Sequence, residues 1–164
     1  MGCRAGLPVA LSGASPVSAT VRSPFGPLSV AEAGGRIVAL YWKPSGPDPS
    51  ALQVEAARQL AAYFDARLCA FDLPLDFGTG FQERVRRAMA AIPFGEVRRY
   101  GDLARDLGVP AQAVGQACGA NPIPILIPCH RVLGKGGLGG FSAPGGVETK
   151  VALLRHEGAA GLLI

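Results

Sequence analysis

A cysteine and a histidine stand side by side at Cys129-His130, directly after the apolar run 123–128. A buried cysteine is usually an inert hydrophobic side chain, because only the thiolate is strongly nucleophilic. An imidazole that accepts the thiol proton changes this near neutral pH. Adjacent strand residues point to opposite faces, but Pro128 and the polar residues that follow indicate that the strand ends at Cys129. The pair therefore predicts a nucleophilic thiol, with His130 reaching it directly or through one water.

Further segments on both sides of this pair carry a specific pattern. They are NPIPILIPCHRV at 121–132, PFGEV at 93–97, YGDLA at 100–104 and LLRHEG at 153–158. In their order along the chain, these segments resemble those of the O6-alkylguanine-DNA alkyltransferases, also called methylated-DNA–protein-cysteine methyltransferases. The resemblance covers residues 17–158. The resemblance implies direct-reversal DNA repair without a cofactor. An alkyl group would move from O6-alkylguanine, or O4-alkylthymine, to Cys129 in a single turnover.

The resemblance also implies catalytic roles around the thiol. His130 would withdraw the thiol proton through a water, while Glu157 would orient His130 and stabilise its charged form. Tyr100 would donate a hydrogen bond to the purine and offset the charge that develops on the leaving base. Asn121 would hold the turns around the site through its amide.

The same resemblance implies contacts with the alkylated base and with DNA. The expected substrate-binding residues are Pro124, Val132, Phe141, Ser142 and Lys150. The expected DNA-binding residues are Ala111, Gln112, Gly115 and Arg131. The partner would be double-stranded DNA that carries alkylated guanine and is bound mainly through its minor groove.

Two positions depart from the family pattern. Many members carry, where this chain has Gln112, an arginine that fills the gap left when the damaged base is flipped out of the duplex. Flipping costs a few kcal/mol for unstacking and unpairing, and glutamine brings no charge and less stacking surface. The loop from Phe141 to Lys150 is longer than the common family loop, and Phe141 lacks the hydroxyl of the tyrosine often found there.

The first part of the chain predicts a small α/β lobe with a linker at 17–78, after a flexible tail at 1–16. Alternating polar and apolar residues at 17–22, with further strands at 28–32 and 36–41, indicate an antiparallel meander. Ser50 and Gln53 form a capping-box signature that begins a helix. The resemblance implies an RNase H-like arrangement for this lobe.

The second part, 79–164, predicts a mostly helical DNA-binding and alkyl-acceptor domain, so the fold class is α+β. Thr79 and Gln82 repeat the capping signature. Helices at 100–107 and 111–119, joined through Gly108, indicate a helix-turn-helix. The second of these helices has no cation and few long side chains, so it is a poor reader of the major groove. It is either an Ala-rich packing helix or, as in the family, a minor-groove element.

Composition limits the class of protein. With 164 residues, 49% of them apolar, the chain is a folded protein. It has no apolar run that could cross a membrane and no secretory signal, and a nucleophilic thiol fits a reducing cytoplasm, so we expect a cytoplasmic protein. We also expect it to be a monomer. The net charge of +4 comes entirely from residues 81–164, which hold ten Lys or Arg and six Asp or Glu. That distribution fits a phosphate-facing surface.

Cysteine spacing argues against a metal site. The four cysteines (Cys3, Cys69, Cys118 and Cys129) contain no CxxC pair, and the chain has only two histidines. We therefore expect no bound metal.

Two other functions compete with suicide alkyl transfer. One is a non-catalytic lesion sensor on the same fold, against which Cys129 argues, because such relatives carry another residue there. The other is a cysteine hydrolase that uses Cys129 and His130 for repeated turnover.

Overall fold

The computed structural model describes residues 19–159, which divide into two units between Asp76 and Phe77. The predicted tail at 1–16 and the first two residues of the strand predicted at 17–22 lie outside the described residues. Within residues 19–159, no helix is long and apolar enough to cross a membrane.

The first unit contains a three-stranded antiparallel sheet and one helix, in agreement with the predicted meander. The elements are β1 (Val21–Ser23), β2 (Gly26–Ala33), β3 (Arg36–Tyr41) and α1 (Ala51–Phe64). The strand order is β1-β2-β3. Gly34 and Gly35, both at positive φ, form the tight turn between β2 and β3. The sheet and the helix bury an apolar core that includes Leu28, Ile37 and Leu60.

The predicted capping box at Ser50 is confirmed. Its hydroxyl accepts a hydrogen bond from the Gln53 amide at 3.1 Å, and the Gln53 side chain accepts one from the Ser50 amide at 2.8 Å. The box predicted at Thr79 is wrong. Thr79 precedes the first helix of the second unit, but its side chain makes no capping bond, and the Gln82 side-chain oxygen is buried without a partner among the described residues.

The second unit is mostly helical, as predicted. Its elements are α2 (Gly80–Ala90), β4 (Arg98–Arg99), α3 (Tyr100–Leu107), α4 (Ala111–Gly119), a 3₁₀ turn (Cys129–Arg131), β5 (Val132–Leu133) and α5 (Val147–His156). Helix α3 ends at Gly108, whose φ of 69° is left-handed and favours glycine. Pro110 then precedes α4. The two helices predicted at 100–107 and 111–119 are thus confirmed.

A short parallel pair between β4 and β5 positions the second unit's main functional segments. Arg98 pairs with Val132 and Arg99 with Leu133. Because Tyr100 follows β4 and Cys129 precedes β5 by three residues, this pairing brings the start of α3 next to the thiol segment. The sequence gives no indication of β4, since two charged residues carry no strand periodicity.

The apolar strand predicted to end at Cys129 is wrong. Residues 121–128 form successive turns, and Cys129 opens the 3₁₀ turn. Pro124 and Pro128 have no N–H to donate to a strand ladder. Ile125 has a φ of 70°, and the Ile127 amide instead donates to the Ile123 carbonyl at 2.9 Å. The segment is apolar because it is buried, not because it is a strand.

Candidate active site

Cys129 lies at a cavity of about 320 Å³ in the second unit. Its side chain is largely buried, and the residue is only 8% exposed. The other predicted residues that line this cavity are Tyr100, Gly115, Asn121, Pro124, Phe141 and Ser142. The lining therefore gathers residues from α3, α4, the turns before Cys129 and the loop before α5. A volume of this size fits a small-molecule group of the kind that protein pockets enclose.

Asn121 holds the turns that carry the thiol. Its Nδ2 donates to the Ile127 carbonyl at 2.9 Å, and its Oδ1 accepts from the Ile123 amide at 3.0 Å. Burial raises the pKa of the Cys129 thiol above its ordinary value, whereas the Asn121 side chain and the Lys150 charge act to lower it. The resting thiol is therefore protonated at neutral pH, and it needs a base before it can attack.

His130 is fully buried and hydrogen-bonded to a carboxylate. Its Nε2 lies 2.7 Å from Glu157 Oε1. Since an ionised carboxylate only accepts hydrogen bonds, the proton of the neutral ring belongs on Nε2, and Nδ1 keeps its lone pair. Nδ1 is buried and has no partner among residues 19–159. This tautomer leaves Nδ1 able to accept a proton.

Arg131 binds the same carboxylate, which corrects its predicted role as a DNA-binding residue. Its Nε donates to Glu157 Oε2 and its Nη2 to Glu157 Oε1, both at 2.9 Å, and its Nη1 donates to the Ile92 carbonyl at 2.6 Å. The residue is 6% exposed. Because all three guanidinium nitrogens donate to partners inside the protein, the group is not available to a DNA phosphate.

Lys150 and Val132 do not line the cavity, and Lys150 instead makes hydrogen bonds to the segments around it. The fully buried Lys150 Nζ donates to the Val132 carbonyl at 2.6 Å and to the Gly140 carbonyl at 3.3 Å. Burial lowers the pKa of Lys150 to about 8. The ammonium thus ties β5 to the loop that contributes Phe141 and Ser142.

Tyr100 stands at the start of α3 and lines the cavity with its half-buried side chain. Burial raises its pKa to about 12, so the phenol keeps its proton at neutral pH and can donate it in a hydrogen bond. Gly139 lies close to this ring, and a Cβ at that position would be 3.1 Å from the Tyr100 ring edge. Its φ of 74° also favours glycine.

A wider groove of about 780 Å³ adjoins the cavity and shares Tyr100 and Gly115 with it. Its lining includes Ala111, Gln112 and Gly115 of α4, which are three of the four residues predicted to bind DNA. Gln112 is exposed. Helix α4 therefore presents one face to the groove and another to the cavity that contains the thiol.

Comparison with known proteins identifies the family. The family model described as 6-O-methylguanine DNA methyltransferase, DNA binding domain, matches residues 80–159. A Mycobacterium tuberculosis protein named methylated-DNA–protein-cysteine methyltransferase is 46% identical over 151 residues, covering 84% of this chain and 90% of that protein. A relative of the same name from Salmonella typhimurium is 47% identical over 123 residues, covering 72% and 68%.

This chain belongs to the methylated-DNA–protein-cysteine methyltransferase family. A crystal structure of Mycobacterium tuberculosis OGT in complex with DNA superposes with a TM-score of 0.74 at 45% identity, covering 86% of this chain and 92% of that one. A methyltransferase from Methanococcus jannaschii gives a TM-score of 0.62 at 25% identity, covering 85% and 92%. The resemblance inferred from the motifs and the α+β fold class are confirmed.

The candidate active site of this methyltransferase contains a second thiol, which was not among the residues predicted from the sequence. Cys118 lines the cavity together with Cys129. Its Sγ lies 3.4 Å from Met89 Sδ, and burial raises its pKa to about 12. The spacing of Gly115, Cys118 and Gly119 could have revealed this, because residues three and four apart share one face of a helix. No histidine adjoins Cys118 in the sequence as His130 adjoins Cys129, so we expect Cys118 to stay a thiol.

The ion pairs of this methyltransferase predict a loss of stability in acid. Burial opposes ionisation of Glu157, but hydrogen bonds from His130 and Arg131 outweigh it and lower its pKa to about 2, from an ordinary value of 4.5. A depressed carboxyl pKa stabilises the fold above the unfolded value, and this is lost as the pH falls towards the folded value. Burial lowers the pKa of His130 below 6.5, so the unfolded chain also takes up that proton first.

We therefore expect the free energy of unfolding to fall below about pH 6.5, and by on the order of 3 kcal/mol more between about pH 5 and 2. Urea unfolding at a series of pH values measures this. Glu157→Gln should remove most of the dependence in the acid range. Glu148→Gln, which changes an exposed carboxylate in the first turn of α5, the helix that ends next to Glu157, should leave it intact. Equal acid dependence in both variants would contradict the assignment to Glu157.

Proposed function

We propose that this chain repairs alkylated DNA by direct reversal, and that it moves the alkyl group from O6 of guanine to Cys129 once per chain. The observation that carries the proposal is a buried thiol beside a cavity, followed in sequence by a histidine whose Nε2 is held by a buried carboxylate. The names of the relatives, which specify methylated DNA and a protein cysteine, support the same reaction.

Proton transfer comes first. His130 is neutral at neutral pH, because burial lowers its pKa, and its Nδ1 lone pair is available. It takes the proton of Cys129 through a bridging water. Glu157 then stabilises the imidazolium through the 2.7 Å contact with Nε2. Because burial raises the pKa of Cys129, the resting site holds a protonated thiol, and the thiolate forms only as His130 accepts the proton.

The thiolate then attacks the alkyl carbon. A sulfur–carbon bond forms as the bond from carbon to O6 breaks, and the bonding pair leaves with the purine. A hydrogen bond from Tyr100, whose pKa of about 12 keeps it protonated, offsets the charge on the leaving base. The proton on the imidazolium balances that charge overall. The thioether product is not cleaved by water, so each chain acts once. O4-alkylthymine has the same kind of alkyl–oxygen bond and is a second substrate.

Access to the thiol requires the damaged nucleotide to leave the duplex. A thiol this deeply buried does not reach a stacked base, so the nucleotide flips into the cavity. Pro124, Phe141 and Ser142 form the walls that the base meets. Helix α4 lies along the minor groove, where the small side chains of Ala111 and Gly115 permit close approach.

Mass spectrometry of the full chain after incubation with a duplex containing O6-methylguanine tests the proposal. We expect a mass gain of one methyl group per chain, located on the peptide that carries Cys129, and repaired guanine equal in amount to the protein. An oligonucleotide with O4-methylthymine should give the same adduct. Repair in excess of the protein, with release of methanol and an unmodified thiol, would instead support the hydrolase alternative.

Gln112 should limit repair of fully paired DNA. If this exposed residue occupies the gap left by the flipped base, Gln112→Arg adds stacking surface and attraction to phosphates. We expect the variant to repair a duplex faster than wild type by about three- to tenfold, and a single strand by much less, since unstacking is cheaper there. Single-turnover rates on both substrates measure this. Gln116→Arg, which alters another residue of the same groove, is the matched control. Equal gains on both substrates would contradict a role in flipping.

A further inference from the structure

The groove beside α4 has one edge made of cationic side chains that the catalytic mechanism does not use. Arg99, Arg105 and Lys135 line it, together with a single carboxylate, Asp102. We propose that Lys135, positioned by Arg99, binds a DNA phosphate next to the nucleotide that enters the cavity, and so supplies charge that Gln112 lacks. This inference rests on the proposed function, because it needs DNA in the groove.

Lys135 stands at the tip of a tight turn after β5. Gly134 and Gly137 form an antiparallel bridge, which leaves Lys135 and Gly136 as the two residues of the turn. Arg99 holds this turn from the neighbouring strand β4, since its Nη1 donates both to the Gly134 carbonyl and to the Lys135 carbonyl. Carbonyl groups are neutral, so Arg99 fixes the turn without losing its own charge.

Within the described part of the chain, two of the neighbouring cations form ion pairs with carboxylates, whereas Lys135 does not. Arg105 pairs with Asp102 at 3.0 Å, and Arg98 pairs with Asp106 at 2.7 Å. Lys135 is exposed, and its side-chain ammonium makes no hydrogen bond or ion pair with any of residues 19–159. An exposed ammonium on a fixed backbone is well suited to a phosphate, which it meets as a point charge.

The position of the groove explains why this contact would assist the reaction. The groove and the Cys129 cavity share Tyr100 and Gly115, so a strand held at its cationic edge lies beside the cavity entrance. The α4 side of the groove contributes Gln112 and Gln116 and no cation. A phosphate contact from Lys135 would therefore retain the strand while the base is out of the stack.

Salt-dependent binding to a duplex containing O6-methylguanine tests the proposal, with Cys129→Ser as the background so that no reaction intervenes. One lost phosphate contact lowers the slope of log Kd against log salt by about one and weakens binding about fivefold near 0.15 M salt. We expect this result for Lys135→Ala, and we expect Lys135→Arg to restore the slope. Arg155→Ala is the control, because it removes an exposed cation that lines neither the groove nor the cavity.

The role of Arg99 is tested by a double-mutant cycle. If it acts through Lys135, the variant Arg99→Ala/Lys135→Ala should bind about as weakly as the weaker single variant. Additive losses would overturn the positioning role. Thermal melting of each variant checks that the second unit is still folded.

Two failures can be told apart. If the chain with its native thiol transfers methyl groups, but Lys135→Ala has the same salt slope as Arg155→Ala, this inference is wrong and the proposed function stands. If the chain neither binds DNA in a salt-dependent way nor accepts a methyl group, the proposed function itself fails.

Discussion

Cys129→Ser should lower the rate of methyl transfer by at least about a thousandfold. Oxygen is a poorer nucleophile than sulfur towards saturated carbon, and a serine hydroxyl does not become an anion near neutral pH. The nearly isosteric side chain should leave the cavity and DNA binding in place. A single-turnover assay with labelled O6-methylguanine duplex measures both the rate and the site of the label.

Cys118→Ser is the matched control for this experiment. Cys118 lines the same cavity, yet its pKa is raised to about 12 and its thiol contacts Met89 rather than an imidazole. The variant should react within a few fold of wild type. His130→Ala should fall between the two, with a loss of about a hundredfold, which is typical of removing a general base. Transfer of the label to Cys118 would show that the acceptor has been assigned to the wrong thiol.

Arg131→Ala should lower the free energy of unfolding by about 3–5 kcal/mol, the largest stability effect we expect of a single substitution. The change removes the guanidinium from the buried Glu157 carboxylate, and it also removes the donor to the Ile92 carbonyl. Urea unfolding measures the loss. Arg131→Lys keeps the charge but not the fork of donors, so we expect an intermediate value.

Arg98→Ala provides the contrast. Arg98 and Asp106 also form an ion pair, at 2.7 Å, but both side chains are well exposed to solvent. Such pairs contribute about 0–1 kcal/mol. Similar losses in Arg98→Ala and Arg131→Ala would refute the view that burial makes the Arg131 pair structural.

The amino-acid sequence by itself determined the chemistry and most of the elements. The pairing of Cys129 with His130 is local in sequence, and so are the meander, the capping box at Ser50 and the helix ended by Gly108. Each depends on residues within a few positions of one another, where periodicity and turn preferences act directly. The flanking motifs then fixed the family, since several specific segments in one order rarely occur by chance.

Only the tertiary structure decided which residues meet. The β4–β5 pair joins segments more than thirty residues apart, and nothing in the two arginines of β4 signals a strand. The apolar run before Cys129 predicts a strand, because a buried strand and a buried series of turns require the same apolar side chains. Its two prolines favour the turns that the structure shows.

The partners of the charged groups were likewise set by the fold. The family resemblance made Arg131 a candidate for DNA binding, but 26 residues separate it from Glu157, whose carboxylate it binds in the interior. Cys118 entered the cavity because one face of α4 turns inward, and Lys135 remained unpaired because its turn points outwards into the groove. A residue's type determines what chemistry it can perform, while long-range packing determines whether solvent, a partner side chain or a substrate is there to meet it.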